Sequence, residues 1–204
     1  MNSAVKPLTT PAGVIYQPNF LKVGVETAMQ LYNDMPWEDR TEARRECFFS
    51  LRDEPYTYGT GNGERTYTPV PEDHPTPVRS FIDWVRARIT LKLQDQLPMS
   101  HRPAFEACFV NGYADKKQHL GWHADDSDSI NHDHPIVVLS LGSWRELWWR
   151  EKAPGNDSLI FTQRLDNSSM FVMPAGMQQT HEHRIPKADA ERGPRISLTF
   201  RSLK

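Results

Sequence analysis

From Phe105 onward the chain alternates short apolar runs with turn-forming residues, a spacing that suits strands better than helices. The runs are Glu106 to Tyr113, Ile136 to Leu141, Glu146 to Arg150, Leu159 to Arg164, Ser169 to Met173 and Ile196 to Phe200, with Pro154-Gly155-Asn156-Asp157 and Pro174-Ala175-Gly176 among the turns. In His181-Glu182-His183-Arg184-Ile185 and Arg195-Ile196-Ser197-Leu198-Thr199-Phe200-Arg201, odd and even positions separate a polar face from an apolar one, as half-buried strands require. This many short strands predict a double-sheet jelly roll. Upstream, Val14 to Leu21 reads as a strand and turn and Val25 to Asn33 as a helix. Val78 to Leu97 places Phe81, Trp84, Val85, Ile89 and Leu93 at helical spacing. Residues 36 to 55 fit neither period, the first dozen residues read as a loose arm, and Pro55 to Tyr67, rich in Gly, Thr and Tyr, reads as a loop or hairpin. The expected fold is α+β and β-rich, a jelly-roll (double-stranded β-helix) core with N-terminal helices and a lid. Residues 1–204 are expected to form one domain, with about 14–104 the helical and lid extension and about 105–201 the core.

Composition narrows the setting. A formal charge of −2 over 204 residues gives no global basic field, so contact with nucleic acid would rest on local patches. Two cysteines, Cys47 and Cys108, lack metal or redox spacing and are expected to pack in a reduced protein. No apolar stretch is long enough to span a bilayer and the start has no signal-peptide core, so a soluble, intracellular monomer is expected, in cytoplasm or nucleus.

The chemistry lies in ordered polar elements of the second half. His123-x-Asp125, at a strand end, sends an imidazole and a carboxylate to the same side of the chain. A distant second histidine would complete two nitrogens and one carboxylate on one face of an octahedral ion, leaving the other positions to small molecules. His181 and His183 both qualify by direction. His132 and His134 read more simply as loop histidines before the strand at Ile136. Arg195 and Arg201 share one face of their strand, and a planar guanidinium that stays charged suits a buried carboxylate. An edge strand solvated by its arginines would show the same pattern.

Asn111-x-Tyr113, His123-x-Asp125, His183-Arg184-Ile185-Pro186 and Arg195 through Thr199-Phe200-Arg201 occur in an order that resembles the AlkB-like branch of the Fe(II)/2-oxoglutarate-dependent dioxygenases, across roughly Tyr56 to Arg201. The resemblance implies that His123, Asp125 and His183 ligate Fe(II). It implies that Arg195 and Tyr113 hold the far carboxylate of 2-oxoglutarate, with Asn111 and Arg201 beside the carboxylate that chelates the metal. Where the family commonly has Asn, this chain has Ser197, which shortens the reach of one co-substrate hydrogen bond. Where the family often reads the base with an acidic residue, this chain has Ser127, flanked by Asp126 and Asp128.

The resemblance further implies O₂ as oxidant and methylated DNA or RNA as partner. An N-methyl group, as in 1-methyladenine or 3-methylcytosine, would be oxidised and lost as formaldehyde, while 2-oxoglutarate becomes succinate and CO₂. Tyr56, Tyr58 and Arg65 belong to the expected nucleotide-recognition lid, where rings stack a base and cations meet phosphate; an ordinary hairpin whose tyrosines cover the core is the alternative. Asp126 and Ser127 are further candidates for base contact, and Lys116, Lys117, Arg184 and Lys187 for phosphate contact. Trp144, Trp148 and Trp149 are expected to pack sheets. Two other functions stay open: a 2-oxoglutarate dioxygenase acting on a small molecule or protein, and a non-catalytic nucleic-acid-binding β-sandwich with an incidental histidine cluster.

Overall fold

The computed structural model describes residues 8–9, 13–58, 64–94, 102–152 and 159–204. In chain order the elements are β1 (Leu8–Thr9), β2 (Ile15–Gln17), α1 (Val25–Asp34), β3 (Glu38–Thr41), β4 (Arg44–Ser50), β5 (Tyr56–Tyr58), β6 (Arg65–Tyr67) and α2 (Val78–Leu93). There follow β7 (Ala107–Tyr113), β8 (Leu120–His123), β9 (Ile136–Gly142), β10 (Arg145–Glu151), β11 (Phe161–Leu165), β12 (Ser169–Met173), α3 (Met177–Thr180), β13 (His181–Ile185) and β14 (Arg195–Arg201). An eight-stranded sheet has the order β1-β2-β12-β9-β14-β7-β4-β3, and a four-stranded sheet the order β11-β10-β13-β8. The hairpin β5-β6 stands apart. All pairings are antiparallel. This is the β-rich α+β architecture that the strand spacing predicts.

Period two sorts the side chains of the large sheet into two environments. Cys47 and Phe49, Cys108 and Val110, Val137, Leu139 and Leu141, and Ile196, Leu198 and Phe200 form one cluster with α1 and α2. The helices supply Ala28, Leu31 and Tyr32, and Val78, Ile82, Val85, Ile89 and Leu93. On the other face Tyr113, Ile136, Val138, Phe171 and Met173 meet Leu147, Trp149, Leu165 and Ile185 of the small sheet. Trp149 thus packs between sheets, as expected. Trp148 and Trp144 instead stack with arginines: Arg184 lies 4.3 Å from the Trp148 ring and Arg192 3.8 Å from that of Trp144.

Residues 36–55, which the apolar period leaves unassigned, hold β3 and β4, and β4 pairs with β7 from Arg45↔Gly112 to Ser50↔Ala107. The segment expected to be helical and lid-like therefore contributes strands to the main sheet. The expected helix from Val78 is α2; residues 95–97 of that reading, the turn at 154–157, the glycines at 59–63 and most of the N-terminal arm lie outside the described residues. Among the described residues no helix is long and apolar enough to cross a membrane. The edge-strand alternative for Arg195 to Arg201 fails, because β14 lies between β9 and β7 and all seven of its residues are buried. With its apolar residues turned to the helices, its polar ones are directed into the interior of the roll.

Candidate active site

Strands β8 and β13 are neighbours in the small sheet, and His183 is in register with His123. Their rings lie 4.2 Å apart between centroids. Asp125 follows just beyond β8 and is 1% exposed. The candidate ligand atoms of His123, Asp125 and His183 all lie within 4.8 Å of one another. The His123 Nδ1 faces the Gly121 carbonyl at 2.9 Å. A ring nitrogen opposite a carbonyl must be the protonated one, which leaves Nε2 with its lone pair, 3.9 Å from Asp125 Oδ1. Asp125 is fixed from behind: its backbone N–H donates to Gln178 Oε1 at 2.9 Å, and Lys152 donates to the Gln178 carbonyl at 2.8 Å.

Electrostatics keep this set deprotonated. Burial holds His183 far below its usual value, at about 3, with His123 adding to the effect. Burial also lowers His123, against the pull of Asp125. For Asp125 burial acts upward, but Arg201, then His183 and His123, outweigh it and hold the carboxyl at about 2. Arg201 Nη2 lies 2.7 Å from Asp125 Oδ1.

Arg195, 1% exposed, donates from Nε to Ser140 Oγ at 2.8 Å and from Nη2 to Ser197 Oγ at 3.5 Å. Its guanidinium lies 5.3 Å from the centre of the Tyr113 ring, directly across the β14–β7 ladder. The buried polar atoms without a hydrogen-bond partner include Asp125 Oδ2, Arg195 Nη1 and Arg201 Nε. One anionic acceptor beside two imidazoles fits a divalent cation, and two unmatched guanidinium donors fit a dicarboxylate. The donor set therefore suits the metal and co-substrate that the resemblance implies.

A cavity of about 110 Å³ reaches His123, Asp125 and Arg201 and is walled by Tyr58, Tyr67, Phe109 and Asn111. Asn111 Oδ1 accepts from Arg44 Nε at 3.0 Å, and Arg44 also pairs with Glu46. Tyr58 donates its hydroxyl to the Ala124 carbonyl at 3.0 Å, so the hairpin is tied to the loop that carries Asp125. Tyr56, expected to stack a base, is 3% exposed and packs against Phe48 and Phe109 with centroids 5.7 and 4.8 Å away. Its faces are spent on core packing, as the ordinary-hairpin alternative has it, because in β5 alternate residues turn inward. Arg65 is exposed and lies 3.7 Å from Glu46 Oε2. Asp126 pairs with Lys152 at 3.2 Å. Asp126 and Ser127 line a separate cleft with Thr57 and Glu64, away from the triad cavity.

His181 lies opposite Glu151, its Nδ1 2.8 Å from Thr180 Oγ1, and is not part of the ligand group. Neither are His132, whose Nε2 faces the Ser127 carbonyl, and His134. Of the cations near the motifs, Lys116 pairs with Glu191 and Arg184 is stacked on Trp122 and Trp148, while Lys117 and Lys187 are exposed. Cys47 and Cys108 are free and buried, and burial pushes both thiols up, Cys108 to about 12. Sequence reasoning does not single out Glu46 or Gln178. The one signal for Glu46 is a lone acidic residue in an inward register beside Cys47-Phe48-Phe49; nothing local marks Gln178.

The family model for the 2OG-Fe(II) oxygenase superfamily matches residues 13–201. The alpha-ketoglutarate-dependent dioxygenase alkB homolog 3 of Bos taurus is 29% identical over 187 residues, covering 85% of this chain and 59% of that protein. The chain thus spans well under two thirds of the length of that relative. The DNA oxidative demethylase ALKBH2 of Homo sapiens is 25% identical over 117 residues, covering 55% of this chain and 45% of that protein. The solved structure of OsALKBH1 superposes with a TM-score of 0.58 at 17% identity, over 98% of this chain and 100% of that one, a likeness of fold.

Proposed function

The chain belongs to the 2OG-Fe(II) oxygenase superfamily, and from that premise we propose that it removes N-linked methyl groups from bases of DNA or RNA, of the 1-methyladenine and 3-methylcytosine type, releasing formaldehyde. The observation that carries this reading is that His123 and Asp125 of the triad border a cavity whose wall includes Tyr58, Tyr67 and Phe109, an aromatic lining of the kind that receives a flat base. The relatives named as alkB homolog 3 and as a DNA oxidative demethylase support it.

In this reading His123, Asp125 and His183 hold the metal, and Arg195 with Tyr113 holds the far carboxylate of 2-oxoglutarate. Asn111 and Arg201 serve the near carboxylate, and Ser197 steadies Arg195. Bound Fe(II) and 2-oxoglutarate supply the oxidation of an unreactive C–H bond by O₂, the co-substrate leaving as succinate and CO₂. The protein contributes position and the exclusion of water. Arg201 keeps Asp125 ionised, Gln178 fixes its backbone, and the Gly121 carbonyl sets the His123 tautomer.

Ser127, at the position where the family often has a base-reading acid, favours the second reading, oxidation of a small molecule or protein. One assay separates the two. The iron-loaded chain is incubated with 2-oxoglutarate and a methylated oligonucleotide, and succinate and unmethylated base are measured together. Coupled formation of both supports nucleic-acid demethylation; succinate without base product supports the second reading.

A further inference from the structure

Resting on the demethylase reading above, we propose that Glu46 is the specificity-determining residue that selects methylated bases carrying a positive charge and an exocyclic amine. Glu46 lies on β4 in register with Asn111 of β7, is 2% exposed and lines the same cavity as His123, Asp125 and Arg201. Its Oε1 accepts from Arg44 Nη2 and from the Tyr67 hydroxyl at 3.1 Å. Its Oε2 is buried without a hydrogen-bond partner, the Arg65 guanidinium lying 3.7 Å away. A carboxylate offers about four acceptor sites, so this one keeps capacity for a ligand donor. Arg44 is tied in turn to Asn111 Oδ1, so the carboxylate is held between two strands and the hairpin before any ligand arrives.

A buried carboxylate with an unmatched oxygen costs stability unless something uses it. The matching ligand is planar, to lie beside the Tyr58 ring in an aromatic-lined cavity, bears N–H donors on one edge and is cationic. 1-Methyladenine and 3-methylcytosine have all three properties. 1-Methylguanine and 3-methylthymine present a carbonyl where those bases present the amine, and its oxygen would meet Oε2 lone pair to lone pair. Ser127 cannot do this sorting, since it carries no charge and lines the neighbouring cleft. The acidic reader absent at position 127 is thus supplied by another strand, while Asp126 pairs with Lys152 and lines the neighbouring cleft.

The test uses four oligonucleotides differing only in one base: 1-methyladenine, 3-methylcytosine, 1-methylguanine or 3-methylthymine. Demethylation kcat/KM is measured with the iron-loaded chain, and equilibrium binding by fluorescence anisotropy with the Mn(II)-loaded chain, in which no turnover follows. Wild-type protein is expected to prefer the first pair by roughly tenfold or more in both readouts. Glu46→Gln, checked for folding by circular dichroism, is expected to bring the ratio close to one, chiefly by losing the first pair. A wild type that handles both pairs equally overturns the assignment without any variant, as does a Glu46→Gln variant that keeps the wild-type ratio. Wild-type protein that demethylates none of the four while still forming succinate overturns the demethylase reading itself.

Discussion

Arg195→Lys separates charge from geometry at the proposed co-substrate clamp. The guanidinium is 1% exposed; it donates to Ser140 and Ser197, and its Nη1 has no protein partner. Burial lowers it to about 10, with Tyr113 opposing that fall. A lysine at this position has a single nitrogen, so it can satisfy Ser140 or a ligand carboxylate but cannot reproduce a two-bond fork, and burial neutralises it more easily. Losing one charge-assisted hydrogen bond of a pair costs about 1.5–3 kcal/mol, which raises the KM for 2-oxoglutarate roughly 10- to 150-fold. Succinate formation against 2-oxoglutarate concentration gives that number, and Fe(II) affinity, measured separately, should stay near wild type because Arg195 touches none of the triad. An unchanged KM, or a loss of Fe(II) affinity as large as the loss in KM, would refute the clamp.

Three other outcomes follow from the same geometry. His183→Ala should abolish turnover and Fe(II) binding, whereas His181→Ala should cost at most roughly 10–100-fold, and the reverse order would sink the ligand assignment. A Cβ on Gly112 would stand 2.7 Å from Trp37 Cη2, and Trp37 is held by its 2.8 Å bond to the Tyr32 carbonyl. Gly112→Ala should therefore cost about 1–3 kcal/mol and lower Tm by roughly 2–4 °C per kcal/mol, with Trp37→Ala relieving part of the clash; an unchanged Tm would show that the ring yields freely. In the metal-free chain, unfolded His183 takes a proton near pH 6.5 while the folded residue resists until about 3, so stability is full above 6.5 and is lost as pH falls towards 3. The slope is about 1.4 kcal/mol per pH unit for each proton, and urea unfolding of His183→Leu between pH 7 and 5 should give a flatter curve than wild type; parallel curves would refute it.

The strands that carry chemistry were readable because period two is local. In Arg195 to Arg201 the apolar residues serve the helical layer, and the polar ones must then face the other way. The same logic puts His181 and His183 on one face of β13 without choosing between them. What period cannot supply is the neighbour. Whether β14 is edge or centre depends on β7 and β9, more than fifty residues upstream, and that decides whether its arginines are solvated or buried. The Asp125–Arg201 pair, the Gln178 support and the intrusion of Glu46 are likewise contacts between distant segments. The apolar period leaves β3 and β4 unassigned because charges crowd the beginning of the segment and obscure alternation. Tyr56 illustrates a further limit: Tyr56 and Tyr58 share one face of β5 and Tyr67 lies opposite Tyr56, so all three rings turn inward, and only the contacts of Tyr56 with Phe48 and Phe109 show that it packs in the core while Tyr58 borders the cavity.

The position of β14 also orders events during synthesis. Its partners β7 and β9 emerge from the ribosome first, yet they are not hydrogen-bonded to each other and wait with open edges for a strand made later. Such edges are sites of mispairing in a nascent chain. The three candidate metal ligands all precede β14, whereas Arg195 and Arg201, the arginines proposed to meet the co-substrate, lie on it. The small sheet with its histidines can thus assemble before the main sheet closes, and the side chains proposed to hold the co-substrate arrive with the strand that joins β7 to β9.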